Sequence, residues 1–160
     1  MTALWLGTKA LIELKAEARR MFPLETGGVL VGYVGLNGEP VVQHVIGPGE
    51  RAQHKRERFE PDHDWQCLQL DQMYRDSSGQ FVYLGDWHTH PNGNPQMSWL
   101  DKRTLRGIAR HRESGTSQPL MLIGAGAGED WMWRAHRYRG TRLKGLAARF
   151  DSLEIRSFEG

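Results

Sequence analysis

Asp86-Trp87-His88-Thr89-His90-Pro91, followed after six residues by Ser98-Trp99-Leu100-Asp101, is the stretch on which the reading of this chain turns. On a strand, residues two apart point to the same face, so His88 and His90 can aim their imidazoles at one point. Pro91–Met97 is a glycine- and proline-rich loop, and Ser98 then opens a helix. Asp101 falls on the first turn of that helix and can reach back across the loop. Two neutral imidazoles and a carboxylate offer a borderline-soft cation such as zinc three ligands, at about 2.0–2.2 Å each. The fourth tetrahedral position is left for water, which marks a catalytic rather than a structural site. Each half of the pattern has a plainer reading. With 7 histidines in 160 residues a His-x-His pair is cheap, and Ser98-x-x-Asp101 alone is a helix capping box. Together, at fixed spacing, the two halves make a specific signal.

Working outward, Leu4–Leu6 reads as a short first strand. From Thr8, a plausible cap, Leu11, Leu14, Ala18, Met21 and Phe22 recur at helical spacing until Pro23. Gly27–Leu36 reads as a buried strand, and Asn37-Gly38 as a hairpin turn that pairs it with Pro40–Ile46. Gly47–Glu57 is polar and opens with Gly-Pro-Gly, which predicts a mobile loop. Pro61-Asp62 starts a second helix with His63, Cys67, Leu70 and Tyr74 on one face. Phe81–His90 is the histidine-bearing strand, and the helix after Ser98 contains Leu100, Leu105 and Ile108. Leu120–Ala125 and Asp130–Tyr138 read as two more strands; the tail from Arg142 is ambiguous. One mixed α+β domain over residues 1–160 is expected, with hairpins rather than strict βαβ alternation.

Composition sets the outer bounds. A chain of 160 residues is too short for a complete (β/α)₈ barrel or a two-domain dehydrogenase. Mean hydropathy is −0.59, and no apolar run approaches the ~18 residues of a membrane span. Met1–Arg20 lacks a signal-peptide core, and the single Cys67 allows neither an internal disulfide nor a Cys₂ metal site, so a cytoplasmic protein is expected. Net charge is +2, unevenly spread: residues 1–100 carry 9 Lys/Arg against 12 Asp/Glu, residues 101–160 carry 12 against 7. Arg134, Arg137, Arg139, Arg142, Lys144 and Arg149 run without an acidic residue among them. No nucleic-acid motif accompanies them, so a solvated strand edge protected by positive charge is the preferred reading.

His88-x-His90-Pro91, six residues, Ser98-x-x-Asp101, together with an upstream Glu25-Thr26-Gly27-Gly28 opening a strand, resembles the motif of the JAB/MPN (JAMM) zinc metalloprotease family. Leu24–Gly32 and the order of elements from Thr8 to Tyr138 are similar as well. Tyr83–Pro91, with Phe59-x-Pro61-Asp62 ahead of it, looks most like the bacterial, deubiquitinase-like members. Those are often encoded beside E1- and E2-like proteins in ubiquitin-like conjugation and antiphage defence operons. The resemblance implies a mixed, largely antiparallel sheet flanked by about three helices, of cytidine-deaminase-like build. It implies one Zn²⁺ per chain held by His88, His90 and Asp101, with Glu25 as general base and acid and Ser98 as oxyanion donor. For Ser98 that role competes with helix capping.

The implied reaction is hydrolysis of the bond between the C-terminal tail of a ubiquitin-like or other conjugated protein and a target lysine. Processing of a sulfur-carrier precursor or a phage-related substrate is the alternative on the same chemistry, and a non-catalytic scaffold is a third. Pro91–Met97 and Gly47–Glu57 would wall the groove, with Met97 and Trp99 buried against the third helix rather than touching the tail. His44, His54, His63, His111 and His136 are read as structural or solvent-facing. Other zinc classes fail on residues, since His-Glu-x-x-His and Pro-Cys-x-x-Cys are both absent.

Overall fold

The structure is a computed structural model that describes residues 2–142 and 147–160. Its first strand, β1 (Ala3–Gly7), leads directly into α1 (Thr8–Met21), whose Ala10, Leu14 and Ala18 form a buried i, i+4, i+8 stripe. β2 (Gly27–Val34) and β3 (Pro40–Ile46) follow as an antiparallel hairpin. A two-stranded ribbon, β4 (Gln53–His54) with β5 (Phe59–Glu60), precedes α2 (His63–Asp76). Then come β6 (Val82–Pro91), α3 (Trp99–Arg110), β7 (Leu120–Ala127), β8 (Asp130–Arg142) and β9 (Ala147–Phe158).

The main strands run in the order β1-β3-β2-β6-β7-β8-β9, and β9 pairs back onto β1 in parallel, closing a barrel. β2–β3, β2–β6, β7–β8 and β8–β9 are antiparallel; β1–β3, β1–β9 and β6–β7 are parallel. Closure leaves the main sheet without a free edge. The principal core gathers Leu4, Leu6, Leu30, Trp87, Leu122 and Leu153 with Leu14 of α1.

Two smaller clusters decide where function can sit. α2 rests on Val29, Val31 and Ile46 through Trp65, Leu70 and Met73, which covers β2 and β3. α3 rests on Met121, Ile123 and Tyr138 through Leu105 and Ile108, which covers β7 and β8. α2 also reaches the start of β6 at Tyr83, and the rest of β6 runs between the two covered areas. Its outward face is therefore the floor of a groove of about 950 Å³ walled by α2 and α3. Alternation along β6 sends Trp87 and Thr89 inward, fully buried, and Asp86, His88 and His90 into the groove.

Several expectations change. Thr8 does not cap α1: Gly7 holds the cap position without a side-chain bond, and the Thr8 hydroxyl donates to Phe158 O at 2.9 Å. Gly47–Glu57 is built rather than loose, because it contains β4 and is tied to α2 by Arg51 on Asp62. On α2 the packed face is Trp65, Gln66, Leu70 and Met73, while Cys67 and Tyr74 are exposed. β8 is not an edge, since β7 and β9 flank it. Arg137 is buried and Arg139 pairs with Asp151, so the basic run is not a uniform solvated surface. Lys144 and the side chain of Arg142 lie outside the described residues.

Leu153 is the core residue that the closing strand contributes opposite Ala135. Leu153→Ala is expected to cost about 2–4 kcal/mol, read as a lower urea midpoint at unchanged slope. An unchanged midpoint would show that β9 closure does not stabilise the barrel.

Candidate metal centre and groove

His88 and His90 stand on adjacent outward positions of β6, and their Nε2 atoms are 3.0 Å apart. Asp101 Oδ1 lies 3.1 Å from His88 Nε2 and Oδ2 lies 3.4 Å from His90 Nε2. Among the described residues this is the one group of three His, Cys, Asp or Glu side chains whose ligand atoms converge, all within 4.8 Å. A tetrahedral centre with bonds of about 2.0–2.1 Å has edges of about 3.3 Å, and these three contacts, made through the two Asp101 oxygens, are of that order. His90 Nδ1 lies 2.9 Å from Asn94 O, and a carbonyl can only accept. Nδ1 therefore carries the proton and Nε2 turns a lone pair toward the centre. The donor set fits a small divalent metal.

Asp101 reaches the centre because the start of α3 makes it do so. Ser98 caps the helix, its Oγ accepting from Asp101 N at 3.1 Å, while Ser98 N donates to Asp101 Oδ2 at 2.7 Å. This full capping box folds the carboxylate back toward the loop and β6. Burial alone would raise the Asp101 pKa, but the His88 and His90 imidazoles beside it, with the Ser98 N–H, outweigh it and hold the carboxyl well below the usual range. For His90, burial opposes protonation, yet Asp101 and the Asn94 carbonyl leave its pKa raised.

Glu25 borders the same groove, at the entry to β2. Its backbone is pinned on both sides by the β4 ribbon: Glu25 N donates to Lys55 O at 2.8 Å, and His54 Nδ1 donates to Glu25 O at 2.9 Å. Burial raises the Glu25 carboxyl, the charges of His88 and His90 pull it back, and Asp101 and Glu57 push it up again. Next in sequence, Thr26 locks β2 to the histidine strand. Thr26 N donates to Thr89 Oγ1 at 3.0 Å and Thr89 N to Thr26 O at 2.9 Å, with both residues wholly buried. The Thr26 hydroxyl in turn donates to Glu17 of α1 at 3.0 Å. Gly27 and Gly28 allow this closeness, because a Cβ on Gly28 would collide with Ile46 O and the Trp87 indole.

The structure thus brings all five sequence-predicted residues, Glu25, His88, His90, Ser98 and Asp101, to one groove. It also adds residues that the sequence reading set aside. His54 holds Glu25, and buried His136 donates to Pro95 O at 2.9 Å, fixing the loop that carries Asn94. These contacts join positions 29 and 41 apart, which no local pattern announces. Trp99 is 73% exposed with Arg103 stacked over its ring, contrary to the expected burial, whereas Met97 packs under α3 as expected. On the groove floor, Tyr83 donates to Asp86 at 2.9 Å. Burial raises Asp86 to about 6, held back by the Tyr83 hydrogen bond and by His88 and His63.

The sequence profile described as prokaryotic homologs of the JAB domain matches residues 8–136. The chain belongs to this JAB family. A probable metalloprotease, y4qB, of Sinorhizobium fredii is 35% identical over 152 residues, covering 94% of this chain and 91% of the relative. A CD-NTase/cGAS isopeptidase of Escherichia coli is 29% identical over 122 residues, covering 75% and 73%. A solution structure of a Desulfitobacterium hafniense protein superposes with a TM-score of 0.69 at 22% identity, over 98% of this chain and 94% of that one, and supports the fold. The chain is accordingly a JAMM-type metalloprotease. No helix among the described residues is long and apolar enough to cross a membrane.

The JAB strands meet at the Thr26–Thr89 contact, and Glu17 accepts from its outer hydroxyl. Glu17→Ala leaves that hydroxyl without its acceptor and is expected to cost about 1–3 kcal/mol. Glu17→Gln keeps an acceptor and should recover most of it. Equal midpoints for the two variants in thermal unfolding would show that the Thr26–Glu17 hydrogen bond does not stabilise the fold.

Proposed function

We propose that this JAB protein is a zinc-dependent isopeptidase. Its substrate is the bond between the C-terminal tail of a conjugated, ubiquitin-like or CD-NTase-like protein and a lysine amine. The observation that carries the reading is the convergence of the His88, His90 and Asp101 ligand atoms within 4.8 Å of one another, with Glu25 in the same groove. Isopeptidase relatives named for CD-NTase/cGAS support the substrate class. A cytoplasmic setting in a bacterial antiviral conjugation system, with E1- and E2-like proteins as operon partners, belongs to the same proposal, as does one domain over residues 1–160.

His88, His90 and Asp101 hold the zinc in this reading. Held there, it would lower the pKa of the attacking water toward about 7 and polarise the scissile carbonyl. Glu25 takes a proton from the attacking water. The water oxygen bonds to the carbonyl carbon, the C–N bond breaks, and Glu25 delivers the proton to the departing lysine amine. Its raised pKa suits both halves of that exchange, because a carboxylate nearer neutrality returns a proton more readily. Ser98 can serve as cap and as oxyanion donor at once. Capping uses an Oγ lone pair, so the hydroxyl proton stays free to donate to the oxyanion developing on the carbonyl.

Elemental analysis of purified protein is expected to find about one zinc per chain, lost in Asp101→Ala; retention in that variant would refute the ligand set. Glu25→Ala should keep its zinc while turnover of a lysine-linked Gly-Gly probe falls by about 10²–10⁴-fold. Unchanged turnover would sink the proposed mechanism.

The pH dependence has a definite sign. Zinc competes with protons for the imidazoles, and the raised His90 pKa favours the proton as pH falls. Zinc affinity, measured against a calibrated chelator, should therefore already be falling before pH is lowered to the ordinary histidine value of about 6.5. A flat profile would exclude imidazole ligation.

A further inference from the structure

We infer that Asp86 is a specificity-determining residue of the groove and that it recognises a cationic side chain on the substrate beside the scissile bond. The assignment rests on the isopeptidase reading for where that bond lies. Asp86 leaves β6 on the face that carries His88 and His90, one pleat repeat or about 7 Å before His88. It has been given a fixed orientation. Between β2 and β6 the pairing skips Leu84, so Val31 faces Tyr83 while Leu30 faces Gly85. This β-bulge turns Tyr83 to the groove side, where its hydroxyl donates to Asp86 Oδ1 at 2.9 Å.

Nothing else among the described residues satisfies that carboxylate. Its second oxygen has no side-chain or backbone donor within hydrogen-bond distance. Among the described residues it takes part in no ion pair with lysine, arginine or histidine. A carboxylate drawn out of bulk water without a cation of its own is costly, and a ligand that brings the cation offsets the cost. Apart from the imidazoles of His88 and His63, the charged surroundings share its sign. Glu57, Glu60 and Glu113 line the same groove, and its one arginine, Arg58, is taken up by Glu60. An acidic substrate side chain would meet repulsion here. Lysine or arginine would gain a charge-assisted hydrogen bond.

An extended peptide lying along β6 repeats its side chains at the same spacing as the strand. With the scissile carbonyl at His88, His90 and Asp101, the side chain about two residues away passes over Asp86. The cation can come from the tail, two residues before its terminal glycine, or from the segment flanking the target lysine. The recognised chemistry is the same.

The test uses zinc-loaded Glu25→Gln protein, so that binding is read without turnover, and fluorescent peptides followed by anisotropy. One pair ends in Arg-Gly-Gly or Glu-Gly-Gly; a second carries Arg or Glu beside an internal lysine. In at least one pair the Arg peptide should bind about tenfold or more tightly than its Glu counterpart. Adding Asp86→Asn should collapse the ratio to within about twofold, and Tyr83→Phe should reduce it partway by releasing Oδ1. Zinc content should be unchanged in both. Equal binding of Arg and Glu peptides in both pairs, or a preference that survives Asp86→Asn, overturns the assignment. Loss of zinc from Asp86→Asn overturns it too, by making the carboxylate a support for His88. Cleavage of the lysine-linked Gly-Gly probe by unsubstituted protein reports separately on the isopeptidase reading. Charge-dependent binding without cleavage would sink that reading and leave recognition of the cation standing.

Discussion

The contact on which the rest depends is the pair of buried threonines, Thr26 and Thr89. Thr89 sits between the two groove histidines in sequence but points the opposite way, into the protein, where it exchanges backbone and side-chain hydrogen bonds with Thr26. Because side chains alternate along a strand, fixing Thr89 inward fixes His88 and His90 outward. Because Thr26 follows Glu25, the same contact sets the carboxylate against the histidines. A slip of one residue between β2 and β6 would bury the imidazoles and expose Trp87, losing the indole bond to Ile46 O at 3.1 Å and the core around it. Register and site are one constraint.

That constraint is held from outside by elements with no part in the chemistry. Glu17 of α1 receives the Thr26 hydroxyl and is itself paired with Arg20. The β4 ribbon clasps Glu25 by its backbone, and His136 of β8 holds the loop whose Asn94 carbonyl orients His90. Each support acts through a backbone group or a short polar side chain, so each leaves the groove face of β6 clear. The groove exists because α2 lies over β2, β3 and the start of β6 while α3 lies over β7 and β8, leaving the histidine-bearing part of β6 between them. The barrel, closed through β9, supplies a floor that does not depend on substrate for its shape.

What was legible in the sequence follows the range of the interactions. His88-x-His90 and Ser98-x-x-Asp101 are local patterns whose geometry is fixed by strand and helix periods, so their convergence could be anticipated. Glu25 was visible through its Thr-Gly-Gly context, and the Gly-Gly proves to be required by the close approach of Ile46 and Trp87. The Asn37-Gly38 hairpin and the buried stripe of α1 were likewise local. His54, His136 and Glu17 were not, because their partners are distant in sequence and they carry no motif. The tail from Arg142 defied assignment for a related reason: Ala147–Phe158 is a strand through its pairing with β8 and β1, not through strong alternation of its own. Gly47–Glu57 looked mobile because its composition is polar, yet its backbone groups are spent on Glu25 and α2.

The capping box of Ser98 and Asp101 is geometrically compatible with the proposed reactive centre. A capping box requires the third residue's carboxylate to fold back over the helix start and accept from the cap residue's N–H. At α3 that same folding points the carboxylate out of the helix end and across the loop to β6. The helix start also presents unsatisfied N–H groups and the positive end of its dipole, which favour the ionised form that a metal ligand needs. Asp101 divides its oxygens accordingly: Oδ2 takes the Ser98 N–H while Oδ1 faces His88. Ser98 Oγ meanwhile spends a lone pair on the helix by accepting from Asp101 N. A pattern that would be discounted as ordinary helix chemistry is thus the means by which a residue ten positions beyond Pro91 is delivered to the histidines.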